Sequence, residues 1–447
     1  MRTIISVRST WFKEFLAQTT LAMLAIVTVP PPSAAQAILN NPPPPTTPRS
    51  QILPQKVQPP VRPRDAWRQM MERTPAPKGG CYVATYPDTS WRSVPCSTTA
   101  PQVPHPMPLT PVGAGIGFLA SEVFGPISSA HGSFYSVTGA TGITSVFSDP
   151  SSTSAGTFSL QLNANTFPTT LCPATAENCH AGEQFIYDNN GKNSSVYIQY
   201  WLLAYPDSKC PIPATIPDVS HKWQWYGGSA GANGCYINGH MTPVPNQSIS
   251  QLAALSLSGF NSSTQQFAVL ETELGAQDLY GAPDDGDLLG LGSNWSVVEF
   301  NVFGLSNGAL AQLSGGTTIV TQIDVNVGNW AAAPVTCDPA GITGEKNSLT
   351  LVPPCCVVQF GPAGPGTEAV NRILFTESNA PGATSVCACP TSTSWDPSQE
   401  ACTSPPVGTN RCFSGLGSDE IWCPRLNRCL TQSEYKAECL FQKPTPP

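Results

Sequence analysis

The chain has 447 residues and is poor in charge, with 11% charged residues and a formal net charge of -8 at pH 7. Soluble domains usually carry about 25% charged residues. Between Pro111 and Val335, three basic side chains (Lys192, Lys209 and Lys222) stand against fifteen Asp and Glu. Nucleic acids and anionic membranes are bound by clustered Lys and Arg, so this composition excludes both as partners of that region. Its carboxylates repel one another most at neutral pH and least in acid.

The first residues have the pattern of a signal peptide, which we place at 1–37. Arg2, Arg8 and Lys13 form a basic head, and residues 21–29 are an apolar run. That run is shorter than the roughly 20 residues that a membrane span requires. An uncleaved anchor is the alternative interpretation. No later segment is long and apolar enough to cross a bilayer, so we expect a secreted or cell-envelope protein with no transmembrane span in the mature chain.

Two short regions follow the signal peptide. Residues 38–78 are rich in proline, with four consecutive prolines at 42–45 and more basic than acidic residues. This composition predicts a spacer of polyproline II type, with one helical turn at 66–73. Residues 79–110 should form a short segment closed by a disulfide between Cys81 and Cys96.

Residues 111–385 are predicted to form one large all-β domain. Apolar and polar residues alternate with a period of two, and Gly, Asn, Ser and Pro separate the alternating runs. No stretch sustains a helical apolar repeat. Many strands with turn residues between them indicate an antiparallel β-sandwich of the concanavalin-like or jelly-roll type. The clearest alternating runs lie at 158–163, 196–203, 295–303 and 319–327.

Sixteen cysteines support an oxidising location. An even count in an exported chain predicts disulfides, with short-range pairs at Cys172/Cys179 and Cys210/Cys235 in addition to the pair above. Residues 386–447 form a small Cys-rich unit with too little core to fold without cross-links; one further helical piece is predicted at 432–439. Zinc is the alternative for the Cys387-Ala388-Cys389 group, although its spacing differs from that of zinc ribbons.

Several common chemistries lack their motifs. There is no Gly-x-Ser-x-Gly elbow, no His-Glu-x-x-His, and no glycine-rich turn opening a helix. The five His are expected in surface loops. The acidic stretch at 284–287 (Asp-Asp-Gly-Asp) offers oxygen ligands to calcium, yet it matches no EF-hand, and a solvated turn is the competing interpretation. We therefore assign no metal and no cofactor.

One carboxylate stands out as a catalytic candidate. Glu299 is central in the strand predicted at 295–303 and has large apolar neighbours on both faces. Ionising a carboxylate in such surroundings is costly, so its pKa should rise and it should be protonated in mild acid. Gln199 occupies a comparable position between Ile198 and Tyr200. If the two strands lie side by side, Glu299 could act as general base and then acid, while the Gln199 amide stabilises the tetrahedral oxyanion.

The order of these features resembles the glutamic peptidases, both the fungal eqolisins and the plant neprosin type. The similar segments are Tyr-Ile-Gln-Tyr-Trp at 197–201, Gly-Cys-Tyr-Ile-Asn at 234–238, and Trp-x-x-x-Glu ending at Glu299. The resemblance covers about residues 130–330. It implies an exported β-sandwich in which Glu with Gln, or two Glu, activates water in acid. It also implies Glu299 and Gln199 as catalytic residues. The cleft would then be lined by Trp201, Trp295 and Tyr197.

Three alternatives stay open. In the first, Gln199 and Glu299 are merely outward-facing polar positions on a half-exposed sheet, because alternation places polar residues in every strand. In the second, the chain is a non-catalytic binding protein of the cell envelope that recognises a polysaccharide or a protein. Ten Trp and eleven Tyr favour it, since aromatic faces stack on sugar rings. A structural surface protein is the least specific interpretation.

Overall fold

The structure is a computed structural model of the full chain. The structure describes residues 63–98, 117–122, 125–147, 149–211, 222–227, 233–273, 277–305, 309–327, 335–360, 370–389, 394–396, 401–403, 420–423 and 428–431. Most of the cation-poor region 111–335 and the three predicted short-range cysteine pairs lie within these ranges. The predicted signal peptide, most of the proline-rich spacer and the helical piece at 432–439 lie outside them.

The described residues form one α-helix, α1 (Pro63–Glu72), two short 3-10 helices (Ile249–Ala254 and Leu291–Ser293) and twenty-six strands. In chain order the strands are β1 (Tyr82–Ala84), β2 (Arg92–Ser93), β3 (Phe118–Glu122), β4 (Ser129–Thr138), β5 (Ile143–Val146), β6 (Thr153–Ala155), β7 (Phe158–Ala164), β8 (His180–Asn189), β9 (Ser195–Leu203), β10 (Gln224–Tyr226), β11 (Gly234–Asn238), β12 (Thr242–Pro243), β13 (Ser256–Asn261), β14 (Gln265–Glu271), β15 (Leu279–Asp285), β16 (Val297–Phe303), β17 (Leu310–Leu313), β18 (Thr318–Asn326), β19 (Val335–Pro339), β20 (Lys346–Asn347), β21 (Thr350–Phe360), β22 (Val370–Ser378), β23 (Ser394–Asp396), β24 (Ala401–Thr403), β25 (Glu420–Cys423) and β26 (Arg428–Thr431).

Two large sheets hold most of these strands. The first sheet has the order β2-β1-β15-β14-β13-β4-β18-β22-β21. The second sheet has the order β10-β11-β9-β8-β7-β16-β3-β19, with β12 also paired to β9. A smaller sheet, β20-β17-β5-β6, contains the one parallel pairing among the described strands, between β17 and β20. The hairpins β23-β24 and β25-β26 lie near the C-terminus. The prediction of an antiparallel all-β fold is confirmed.

The two large sheets pack face to face over one apolar core, as a sandwich requires. Phe134 of the first sheet contacts Phe300 of the second, with ring centroids 5.2 Å apart. Two glycines of the first sheet make this approach possible. A Cβ at Gly132 would lie 2.1 Å from the Phe300 ring, and one at Gly259 would lie 2.6 Å from Phe185. The sheets could not come this close if either position carried a side chain.

Apolar and polar residues alternate in the second sheet, but its polar face is not exposed to solvent as a half-exposed sheet would be. One face carries apolar side chains that belong to the core, among them Leu162, Phe185, Ile198 and Phe300. The opposite face carries polar side chains, as period two requires. Yet every residue of β7 and β9 is buried, so the polar face is covered as well.

Helix α1 is packed on the first sheet rather than lying in a free spacer. A helical turn at 66–73 was predicted; the observed helix begins three residues earlier and ends one residue earlier. Trp67 and Met71 are buried in a small cluster with Trp91 and residues of β14. Arg68 is buried and ion-paired with Glu271, at 2.8 Å. The basic residue therefore anchors the helix, and residues 63–72 belong to the folded body.

The disulfides confirm three predicted pairs: Cys81–Cys96, Cys172–Cys179 and Cys210–Cys235. Two more link Cys337 to Cys355 and Cys356 to Cys387. Cys389 is also disulfide-bonded, so the zinc alternative for Cys387 and Cys389 is wrong. The bond from Cys356 to Cys387 ties the start of the Cys-rich unit to β21. Within the described ranges, no helix has the length and apolar character of a membrane span.

Candidate functional site

Five polar side chains form a continuous line across the polar face of the second sheet. Asn238 pairs with Gln199, Gln199 with Gln184, Gln184 with Asn163, and Asn163 with Glu299. Residues paired directly across strands project on the same face, so all five share it. We call this line the polar row. All five side chains are buried.

Glu299 is the acidic end of the polar row and is 4% exposed. Its Oε2 accepts hydrogen bonds from Asn163 Nδ2 at 2.9 Å and from the Thr343 backbone N and Oγ1 at 3.3 and 3.2 Å. Burial raises the pKa of Glu299 to about 7, and these donors oppose the rise. The interpretation of Glu299 as a half-exposed surface position is therefore wrong.

Gln199 lies on the same face but not beside Glu299. Strands β8 and β7 separate the two, which corresponds to about 14 Å at a strand spacing of about 4.8 Å. Gln199 is fully buried, and its Nε2 donates to Asn238 Oδ1 at 2.5 Å. Its Oε1 is a buried acceptor that has no partner in the described part of the chain. The amide nearest to Glu299 is that of Asn163.

The three aromatic candidates occupy different places. Trp201 is on the polar face, fully buried, and donates from Nε1 to Gln184 Oε1 at 2.7 Å. Tyr197 shares that face and clusters with Ile186 and Met241. Trp295 does not share it. The strand begins only at Val297, and Trp295 lies in the core between the sheets, stacked on Phe185 with ring centroids 5.6 Å apart.

A second buried glutamate reaches the polar face from outside the large sheets. Glu345 precedes β20 and accepts a hydrogen bond from Gln161 Nε2. Burial raises the pKa of Glu345 to about 8, and the nearby Glu299 and Asp188 charges add to the rise. Asp188, on the same face of β8, has its own pKa raised to about 7 by burial. The polar face thus holds several acids that stay neutral well above their ordinary range.

Residues 342–345 lie over the polar face, and we call this segment the strap. Ile342 packs with Trp201 and Tyr236. Thr343 bonds to Glu299, and Glu345 bonds to Gln161. The strap therefore contacts the face at three points and covers the acidic end of the polar row.

Four residues of this site, Gln161, Asn163, Gln184 and Glu345, were not predicted as site residues, and neither was Thr343. Gln161 and Asn163 stood in an alternating run, but nothing in the sequence showed that β7 lies between the strands of Gln199 and Glu299. Gln184 had no signal beyond its place in a strand. Glu345 and Thr343 lie in an irregular segment where no periodicity applies, so only the folded chain places them at the site.

The acidic stretch at 284–287 does not form a calcium site. Asp284 is 2% exposed and accepts hydrogen bonds from Tyr200 and His240, at 3.0 and 2.5 Å. Asp285 accepts from the backbone of Gly79, and Asp287 caps the backbone N–H groups of residues 290–292. The three carboxylates have separate partners, and the described residues contain no group of three or more His, Cys, Asp or Glu that could hold a metal.

A second cluster lies between α1 and the first sheet, beside a cavity of about 340 Å³. His131 was expected in a loop but lies in β4. Its Nδ1 is 2.8 Å from Ser258 Oγ and 3.6 Å from Glu72 Oε1. A serine triad uses one ring nitrogen for each partner. Here the same nitrogen faces both partners, so the cluster is an ion-paired anchor for α1 and not a catalytic triad.

Comparison of the chain with protein-family models, curated sequences and solved structures finds no match. The resemblance to glutamic peptidases therefore depends on the residues of this chain alone.

Proposed function

We propose that the chain is an exported, acid-acting peptidase of the glutamic type, in which Glu299 transfers the protons. The observation that supports this most strongly is a carboxyl buried at the end of a line of amides, with a raised pKa and an amide neighbour at 2.9 Å. Perturbed carboxyls in such surroundings are typical of proton-transfer residues. The disulfides and the acidic composition are compatible with an extracellular location.

Hydrolysis at this site follows from the chemistry of a single carboxyl. The ionised Glu299 takes a proton from water as the water oxygen bonds to the carbonyl carbon. It then returns that proton to the leaving nitrogen as the C–N bond breaks. The charge that develops on the carbonyl oxygen needs an N–H donor, and the Asn163 amide is the nearest one.

The polar row favours an extended polypeptide as substrate. From Asn238 to Glu299 it crosses four strand intervals, about 19 Å, which an extended chain covers with about six residues. Amides both donate and accept, so they match the peptide groups of such a chain. Gln199, whose Oε1 is an unpaired acceptor, is then a binding residue at a distance from the bond that is cut, together with Tyr197. The sequence predicted Gln199 as the oxyanion donor on the condition that its strand lies beside that of Glu299; because β8 and β7 lie between them, the proposal gives this role to Asn163.

Access to Glu299 requires the strap to move. In the covered state, burial keeps Glu299 neutral below about pH 7. Displacement of the strap by substrate admits water, which lowers the desolvation cost and returns the pKa of Glu299 towards its ordinary 4.5. The carboxylate needed for water activation then exists in mild acid. Gly341, directly before the strap, and Gly344 within it give the backbone rotational freedom.

The test is to incubate the purified full chain with a denatured protein from about pH 2 to about pH 7, and to identify products by mass spectrometry. We expect cleavage in mild acid that resists inhibitors of serine, cysteine and metal-dependent peptidases. Intact substrate at every pH would contradict the proposal and favour the alternative, a binding protein that uses the same polar face. A pull-down of unfolded polypeptide, with a polysaccharide panel beside it, would then identify the ligand class.

A further inference from the structure

The hydrogen bonds around Gln184 form a fork with a fixed direction. Gln184 Nε2 donates to both Gln161 Oε1 and Asn163 Oδ1, at 3.1 and 2.8 Å. Each of these amides then donates to a glutamate: Gln161 to Glu345, and Asn163 to Glu299. Gln184 is thus the common point of two branches, and each branch ends on a buried carboxyl.

An amide can be turned over so that its oxygen and nitrogen exchange places, which would reverse every bond in the fork. The partner of Gln184 Oε1 prevents this. It is Trp201 Nε1, at 2.7 Å, and an indole nitrogen can only donate. The Gln184 oxygen must therefore face Trp201, which leaves its amino group for Gln161 and Asn163.

The register of the sheet allows the indole to reach this position. Trp201 of β9 pairs directly with Gly182 of β8. Glycine has no side chain on the polar face, so space over β8 is open to the indole, next to Gln184. The contacts of Trp201 with Tyr226 and Tyr236 hold the ring from the other side, with centroids 5.3 and 5.4 Å away.

We propose that Trp201 and Gln184 are positioning residues that make Asn163 and Gln161 donate to Glu299 and Glu345 and never accept from them. A reversed amide would turn its oxygen towards a carboxyl oxygen, which disfavours the ionised carboxylate. The fixed direction therefore keeps both glutamates able to ionise although they are buried. The importance of this for catalysis rests on the proposed function, whereas the electrostatic effect does not.

Other titratable groups face the same region, and they also titrate in the experiment described below. Asp188 lies on the polar face, Tyr197 is its buried neighbour, and Glu377 of β22 is close enough for the Glu299 charge to raise its pKa. None of these accepts a hydrogen bond from Gln184 or Trp201 in the described structure, so loss of the indole N–H acts on Glu299 and Glu345 first.

The experiment is an infrared titration of the buried carboxyls in the full chain without substrate, with the Glu299 band assigned by its loss in Glu299→Gln. Trp201→Phe keeps the ring and removes the N–H. We expect the pKa of Glu299 to rise by about one pH unit, the effect of a weakened charge-assisted hydrogen bond. The matched control is Trp91→Phe, because Trp91 is also buried and donates to a backbone oxygen, that of Thr74.

The outcomes separate the two proposals. An unchanged Glu299 titration in Trp201→Phe, or an equal shift in Trp91→Phe, would overturn the positioning role even if the protein cleaves peptides. A shift in Trp201→Phe alone supports it even if no substrate is cut. If Trp201→Phe does not fold, Gln184→Met removes the centre of the fork and must give a shift in the same direction.

Discussion

Unfolding should require the most denaturant at about pH 5 and progressively less as the pH rises to about 8. Buried carboxyls cause this: burial raises the pKa of Asp188 and Glu299 to about 7 and of Glu345 and Glu377 to about 8, and it also raises the pKa of Glu183 and Glu271. Their folded pKa values lie above the unfolded ones, so the folded protein holds protons that the unfolded chain has released. Each group therefore reduces stability as the pH rises between those two values, by up to about 1.4 kcal/mol per pH unit.

The ion pair beneath α1 sets the limits of this range. The pKa of His131 is raised to about 9 by the Glu72 charge acting against burial, so its contribution is complete below about 6.5 and is lost as the pH rises through about 9. The pKa of Glu72 is lowered by His131 in spite of burial, so its contribution is lost only in stronger acid. Both effects favour a maximum in mild acid.

Urea unfolding at a series of pH values, with the disulfides intact, measures this directly. Glu299→Gln provides the internal control, because it removes one titrating group. The free energy of unfolding should then decline less steeply between about pH 5 and about pH 7, by the contribution of one proton. Stability that is constant or that increases from pH 5 to pH 8 would show that these carboxyls are solvated and ordinary.

Glu299→Gln should also abolish peptide cleavage. Glutamine keeps the shape of the side chain and can accept the hydrogen bond from Asn163, but it cannot take a proton from water. We expect kcat to fall by about 10²–10⁴, the usual contribution of a positioned acid–base group. The measurement is the initial rate on a denatured protein at the pH of maximal wild-type activity.

The matched control for this loss is Glu183→Gln. Glu183 is buried in β8, on the face opposite the polar row; its pKa is raised by burial and nearby acids, and it accepts a hydrogen bond from Gln266 of β14 in the first sheet. Removing it changes a comparable carboxyl away from the polar row, so cleavage should persist. Equal loss in both variants, or full activity in Glu299→Gln, would exclude Glu299 as the proton-transfer residue.

The β fold could be predicted because the period-two alternation of apolar and polar residues is visible within each strand segment of the sequence. The raised pKa of Glu299 was also predictable, since its apolar neighbours along β16 already indicate desolvation. The neighbours across the sheet were not predictable. Which strands separate Gln199 from Glu299 depends on pairings between β9, β8, β7 and β16, and no local pattern encodes them.

Trp295 shows the limit of alternation more sharply. The period-two pattern, continued back from Glu299, predicted that Trp295 lies on the polar face. The strand begins only at Val297, however, and the preceding backbone turns so that the indole enters the core. Trp201 was correctly placed on the face of Gln199, yet its role there is to donate a hydrogen bond, which only the register opposite Gly182 reveals. A helical turn was predicted in the segment of α1. Its packing on the first sheet could not be predicted, because it depends on partners distant in sequence, such as Glu271.

The burial of a proton-transferring Glu299 is tested most directly by titrating its carboxyl in the folded chain, by infrared difference against Glu299→Gln. We expect a midpoint of about 7, with the carboxyl neutral in mild acid while the strap covers it. A midpoint at or below the ordinary value of 4.5 would mean that Glu299 is already hydrated and ionised, and the site described here would lose its physical basis.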